Sequence, residues 1–322
     1  MSCSGVGIFA VLLLVTVPVW VPVTLVADLV RGRRRVPLAR LVFFALMWSW
    51  LEIAGLLGAL VLTLTGRRRS LSANFALQRW WADSVVAAVR TATGMTLTVS
   101  GLDDVGPGPI VVLGRHVSLI DSVISASILA GRARLNPRYV LKRELEWDPC
   151  LDIVGHRLPN WFVDRSSSNV PAELEGIAAM ADSLGEGEVA VVFPEGTRAN
   201  DEKRARIFAS LTERNPARAE RLAGLRHLLP PRPAGADALL RAVPDADVVL
   251  MWHTGLEGLD GFGGIVRAIS KGRLAVSVGL RRYVRAEVPM DRFVQWLDDR
   301  WCEMDRLVAS ALDNGGGPWA TQ

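Results

Sequence analysis

The chain has 322 residues, half of them apolar and 22% charged, enough for a membrane-associated segment and one sizeable α/β domain. Its net charge of +4 is uneven: residues 1–69 hold eight arginines against Asp28 and Glu52, a surplus of six that leaves the rest near −2. The domain therefore has no basic excess for nucleic acid. Three scattered cysteines (Cys3, Cys150, Cys302) offer neither a disulfide framework nor metal-ligand spacing, and fit a reducing compartment.

Met1 to Ala27 contains no charged side chain, and Leu41 to Gly66 is a second apolar run. Each is long enough to cross a hydrocarbon core of about 30 Å. No basic residue precedes the first run and no small-residue cleavage site follows it, which argues against a signal peptide. Pro18 and Pro22 should kink the first run. Glu52, in the middle of the second, would cost about 2.5–3.5 kcal/mol in lipid. Arginines flank the second run on both sides, so the charge rule sets no orientation. Two spans and a bent hairpin dipping into one leaflet both remain open, and either makes residues 1–70 a membrane anchor. Residues 71–94 follow as an interfacial or linking helix. Its amphipathic part, 74–93 with Trp80 and Trp81, fits a membrane surface and a core-facing position equally well.

From residue 95 short apolar runs alternate with helical segments. Strands are predicted at Met95–Ser100, Pro109–Leu113, Arg138–Leu141, Trp161–Val163, Glu188–Phe193, Asp247–Trp252 and Arg273–Leu280. Helices are predicted near 118–130, 171–184, 201–213, 257–269 and 290–312. This alternation predicts an α/β domain over 95–312 whose sheet is flanked by helices on both faces. Pro230, Pro231 and Pro233 mark a rigid loop, and residues 313–322 form a flexible tail.

Four segments carry chemistry. Arg115-His116-Val117-Ser118-Leu119-Ile120-Asp121 follows a strand, with Ser118 placed to cap the next helix. On one continuous helix, residues five apart point about 140° from each other, so His116 must lie just outside the helix to meet Asp121 in its first turn. The carboxylate would then fix one imidazole tautomer and leave the other nitrogen to take a proton. Phe193-Pro194-Glu195-Gly196-Thr197-Arg198 ends another strand. There Gly196 permits a tight turn, and Thr197 and Arg198 can donate to phosphate oxygens. Lys142-Arg143-Glu144-Leu145 and Phe162-Val163-Asp164-Arg165 put basic residues just past two further strands, along the same expected sheet edge. His156 and His227 have no carboxylate at a useful spacing, and His253, beside Trp252, reads as structural.

In order and spacing these blocks resemble the motifs of the 1-acylglycerol-3-phosphate acyltransferases, within the glycerophospholipid acyltransferase superfamily. The resemblance spans about residues 95–285 and implies a mixed sheet with helices on both faces, behind an apolar anchor of two helices. It implies transfer of a fatty acyl group from acyl-CoA or acyl-carrier protein to the free hydroxyl of 1-acylglycerol-3-phosphate, giving phosphatidic acid, with no cofactor beyond that co-substrate. His116 would be the general base and Asp121 its orienting partner. Arg165, Glu195, Gly196, Thr197 and Arg198 would hold the acceptor, with Lys142 as an addition. The partners implied are membrane lipids, a lysophospholipid acceptor and the acyl donor, with no nucleic acid and no indication of oligomeric state. The implied location is the cell membrane, with the domain on its cytoplasmic side. Another lysophospholipid or a glycolipid is the alternative acceptor, and a non-catalytic lipid-binding module the alternative class.

Two departures stand out. Arg115 occupies a place where the family often has Asn, and Trp147–Asp152 replaces a Pro-aromatic-Gly element. The stretch Leu228–Gly235 is similar to a Pro-Arg-x-x-Gly element of a lysophospholipid-remodelling branch.

Overall fold

The structure, a computed structural model, describes residues 3–313 except Leu119, Asp260 and Arg273. Most of the expected tail, from 314 onward, lies outside the described residues.

The first apolar run forms two helices, α1 (Cys3–Val15) and α2 (Val17–Val30), bent by 72° at their junction. Pro18 falls in the first turn of α2, where its missing N–H is not needed, and the break comes just before it. After an arginine-rich loop come α3 (Pro37–Leu64) and α4 (Leu71–Thr93). Among the described residues α3 alone is long and apolar enough to cross a membrane, and the α1–α2 pair adds a second crossing if it acts as one broken span.

One stripe of α3 faces protein: Ser49, Glu52, Gly55 and Ala59 are buried, a spacing that puts them on one side of the helix. Glu52 accepts hydrogen bonds from Trp81 Nε1 (3.0 Å) and from the backbone N–H of Cys150 (3.3 Å). Arg157 donates to the Ala59 carbonyl and to Thr63 Oγ1. The mid-run carboxylate is thus turned toward protein donors, and the anchor is bolted to the domain. Of the two open positions for α4, the core-facing one holds: Phe75, Ala82, Val85, Val86 and Val89 are buried, while Trp80 stays exposed.

The domain continues β1 (Thr96–Ser100), β2 (Ile110–Gly114), α5 (Asp121–Ala126) with a π-helical turn at 127–132, β3 (Asn136–Lys142), a 3₁₀ turn at 143–147, α6 (Pro149–Gly155), β4 (Trp161–Val163) and α7 (Val170–Ala181). Then come β5 (Glu188–Val192), α8 (Asp201–Arg214), α9 (Pro216–Leu222), α10 (Pro233–Ala242), β6 (Asp247–Thr254), α11 (Phe262–Lys271), β7 (Ala275–Tyr283) and α12 (Phe293–Asp313). The strands form one mixed sheet in the order β1-β7-β6-β2-β5-β3-β4, with β6–β7 antiparallel and every other pair parallel.

Central strands bury both faces. Val111, Leu113, Ala190, Val192, Val248 and Leu250 pack against α7, α10 and α12, with Trp301 fully enclosed. Ile110, Val112, Val189, Val191, Val249 and Met251 pack on the other side, toward α4 and α5. Period-two alternation along each strand assigns these faces. Truncating a residue such as Leu239 would cost about 2–5 kcal/mol.

All seven expected strands form, Trp161–Val163 with the expected bounds and the other six with shifted ends. The helix expected at 257–269 is α11 and starts at Phe262. The expected proline loop ends sooner than its composition suggests, because Pro233 starts α10, where its fixed φ suits a first helical turn. Helices α6, α9 and α10 were not expected; the first two have seven residues each, too few to display a helical period.

Candidate active site

The parallel pairing of β6, β2, β5, β3 and β4 brings their carboxyl ends to one edge of the sheet, the edge where open α/β sheets collect reactive groups. At its centre β2 ends on Gly114, where any side chain would strike the Phe193 ring 2.7 Å away. The backbone of the next residues is held from both sides: Arg115 N–H donates to the Met251 carbonyl, His116 N–H donates to Glu195, and Ala199 N–H donates to the His116 carbonyl.

His116 lies outside the helix and Asp121 begins α5, as the five-residue spacing requires. His116 Nδ1 is 3.0 Å from Asp121 Oδ2. The same oxygen accepts from the backbone N–H groups of Val117 (2.6 Å) and Ser118 (2.8 Å), and the Ser118 hydroxyl donates to Oδ1. Ser118 therefore does not cap α5, which starts after Ile120; it helps the carboxylate close the turn. Burial alone would raise the Asp121 pKa, but His253, then His116, outweigh it and hold the carboxyl far below its usual range. The His116 ring is half-buried, lies 5.0 Å from the Phe193 ring, and has Nε2 uncommitted among the described residues.

Sequence reasoning undervalued His253. Its Nε2 lies 3.4 Å from Asp121 Oδ1, so the carboxylate sits between two imidazoles. The register that pairs Gly114 with Met251 carries His253 level with His116. Strand order supplies that signal, and strand order is not written in local spacing.

Arg115 is 1% exposed and turned inward. Its guanidinium donates to Glu257 (2.8 Å) and to the carbonyls of His253 and His227 (3.4 Å to the latter). The substitution at the family's Asn position thus places a structural pin, and no cation is added at the His116 imidazole.

The Phe193–Arg198 segment divides into two roles. Glu195 is fully buried, with one oxygen accepting from His116 N–H and the other from Leu229 N–H (2.9 Å). Burial pushes its pKa up to about 8, against those two donors and Arg115. It faces the interior and joins two loops, so it offers no oxygen to an incoming acceptor. Gly196 has φ +68°, a conformation that favours glycine, and Arg232 lies against it: a Cβ there would meet Arg232 Cδ at 3.2 Å. Thr197 and Arg198 follow, both half-buried, with the Arg198 carbonyl accepting from Lys203.

Arg232 was noticed only as part of a short motif. Its N–H donates to the Pro194 carbonyl (2.8 Å), which locks it over the turn. Desolvation and the Arg232 charge lower the pKa of Arg165, while Glu144 opposes them. Like charges that repel in this way would be relieved by a bound anion. Lys142 is paired with Glu144 at 2.5 Å and is only indirectly part of this group.

Beside Asp121 lies an apolar cavity of about 120 Å³. Ser122 and Val123, directly after Asp121, line it with Gly55, Leu77, Trp81 and Leu141. Among the described residues no group of three or more His, Cys, Asp or Glu is arranged to hold a metal.

The mouse 1-acyl-sn-glycerol-3-phosphate acyltransferase epsilon is 26% identical over 217 residues, which is 64% of this chain; the chain spans 58% of that protein's length. The crystal structure of the 1-acyl-sn-glycerophosphate acyltransferase PlsC from Thermotoga maritima aligns with a TM-score of 0.44 and 16% identity, over 79% of this chain and 94% of that one. Residues 96–250, which include His116, Asp121, Arg165, Glu195, Arg198 and Arg232, match the Acyltransferase family model.

Proposed function

We propose that the protein transfers a fatty acyl group from a thioester donor, acyl-CoA or acyl-carrier protein, to the hydroxyl of 1-acylglycerol-3-phosphate, giving phosphatidic acid. The observation that carries this reading is the His116–Asp121 contact at 3.0 Å, with the second imidazole nitrogen left for substrate at the sheet edge.

His116 Nε2 takes the proton of the acceptor hydroxyl as its oxygen attacks the thioester carbon. Asp121, kept ionised, stabilises the imidazolium that forms. The tetrahedral adduct then collapses, the carbon–sulfur bond breaks, and the thiolate recovers the proton. A thioester carbonyl is already electrophilic, so the main tasks are activating and placing the hydroxyl. General-base action is worth about 10²–10⁴-fold, and anchoring the phosphate can be worth more through positioning. Arg165 and Arg232, with Thr197 and Arg198, supply that anchor. The apolar cavity beside Val123 accepts an acyl chain.

The reading requires no metal, cofactor or covalent enzyme intermediate. Helices α1–α3 hold the enzyme in the cell membrane, with the domain on the cytoplasmic side. Arg115 departs from the Asn common in the resembled family but turns away onto Glu257, which supports an enzyme over a non-catalytic module. Another lysophospholipid acceptor is the second reading, and it is favoured by Arg232 against Gly196, since that arginine belongs to the remodelling-type element.

The test is incorporation of labelled acyl groups from acyl-CoA into a panel of lysolipids by the purified chain in vesicles. Product mainly from 1-acylglycerol-3-phosphate supports the assignment. Equal or better use of lysophosphatidylcholine overturns the acceptor, and no transfer to any lysolipid overturns the reaction.

A further inference from the structure

We propose a second anion site, separate from the catalytic edge residues, that takes the headgroup of an anionic membrane phospholipid. Arg35 in the α2–α3 loop, Arg40 in the first turn of α3 and Arg90 in the last turn of α4 line one polar cleft together with Thr91 and Gly94. Among the described residues no acidic side chain pairs with any of the three. The acid closest in sequence is already engaged: buried Asp28 accepts from the backbone N–H groups of Leu38 (2.8 Å) and Ala39 (3.3 Å), with Arg33 3.9 Å away. Asp28 thereby shapes the loop that presents Arg35 and Arg40 without neutralising them. Three uncompensated guanidiniums around one cleft favour a phosphate-bearing ligand.

The surroundings indicate where that phosphate comes from. Val26, Leu29 and Val30 are exposed on α2 just before the loop, and Phe43 is exposed on α3 just after it. A cleft bordered by apolar helix surface lies where headgroups meet hydrocarbon, so its natural occupant is a bilayer lipid. It is also distinct from the proposed acceptor site. Met95, on the cleft wall, leads into β1, three strands from β2 on the β6–β7 side, or about 14 Å at the usual strand spacing. Arg165 and Arg232 lie on the opposite flank, with β4 and β5. The remote end of α4 lines the apolar cavity through Leu77 and Trp81, so an occupied cleft would fix the helix that forms one cavity wall.

The experiment uses the full chain in an uncharged detergent, carrying Arg165→Ala to blank the acceptor site. Binding of dioctanoyl phosphatidylglycerol, dioctanoyl phosphatidylcholine, CoA and inorganic phosphate is measured by native mass spectrometry and titration. Phosphatidylglycerol should bind saturably. Arg35→Gln with Arg90→Gln should weaken that binding roughly thirtyfold, about fivefold per guanidinium removed. Arg90→Gln alone, at an exposed position on the end of α4, should give the single step if the double variant folds poorly. Binding unchanged in both variants, or equal binding of phosphatidylcholine, overturns the site. CoA or inorganic phosphate binding as tightly as phosphatidylglycerol overturns the lipid assignment.

Discussion

The turn after β2 and the turn after β5 each bury a carboxylate, and the two groups are held in opposite states. Asp121 accepts from two backbone amides, a hydroxyl and an imidazole, with a second imidazole beside it, and stays ionised. Glu195 accepts from two amides only, its burial dominates, and its pKa rises to about 8, pushed further by the charge on Asp121. The difference teaches how one sheet edge separates chemistry from scaffolding. A carboxylate rich in donors can support a developing imidazolium, whereas one poor in donors serves to lock a loop.

The largest effect should come from spoiling the ionised member. Asp121→Asn should lower kcat by about 10²–10⁴-fold with little change in acceptor KM, because Asn neither fixes the tautomer nor stabilises the cation. Steady-state kinetics in vesicles would check this. Next comes the anion grip on the β5 side: Arg232→Ala should raise acceptor KM about 10–100-fold while leaving donor KM near normal, consistent with loss of a charge-assisted contact worth about 1.5–3 kcal/mol. A change confined to the donor would reassign that arginine.

The smallest effect on turnover should come from the neutral member, where the signature is instead in stability. The Glu195 pKa is about 4.5 unfolded and about 8 folded. Between those values the unfolded chain releases a proton that the folded chain keeps, so this group's contribution to stability falls as pH rises and levels off above about 8. Glu195→Gln should start less stable near pH 5, by about 1–3 kcal/mol for a compromised amide contact. That deficit should shrink toward pH 8. For Asp121, whose folded pKa is depressed, the sign is reversed: its stabilisation is present above the ordinary carboxylate range and lost on acidification. Thermal melts across pH distinguish the two.

Much of the domain was legible in sequence, because its strands are short apolar runs buried on both faces, and such runs leave a clear local mark. The His116–Asp121 meeting was expected from the strand-to-helix turn together with the family resemblance, helix geometry adding only that His116 must lie outside the helix. What remained hidden depends on strand order or on side-chain direction. His253 reaches Asp121 only because β6 lies beside β2. Glu195 sits inside a binding-type motif yet faces inward, and Arg115, next to the base in sequence, turns its guanidinium away to Glu257. Glu52 read as a cost to a membrane helix because its partners, Trp81 and Cys150, are distant in sequence.

Asp121 lies between two imidazoles, so the central claim is tested by asking which of them carries the proton. Acyl transfer from labelled acyl-CoA to 1-acylglycerol-3-phosphate is measured for His116→Ala and His253→Ala in the same vesicles, with folding verified by circular dichroism. His116→Ala should lose about 10²–10⁴-fold in kcat, while His253→Ala should keep most of its turnover. Robust transfer by the His116 variant, with collapse of the His253 variant, would contradict the account.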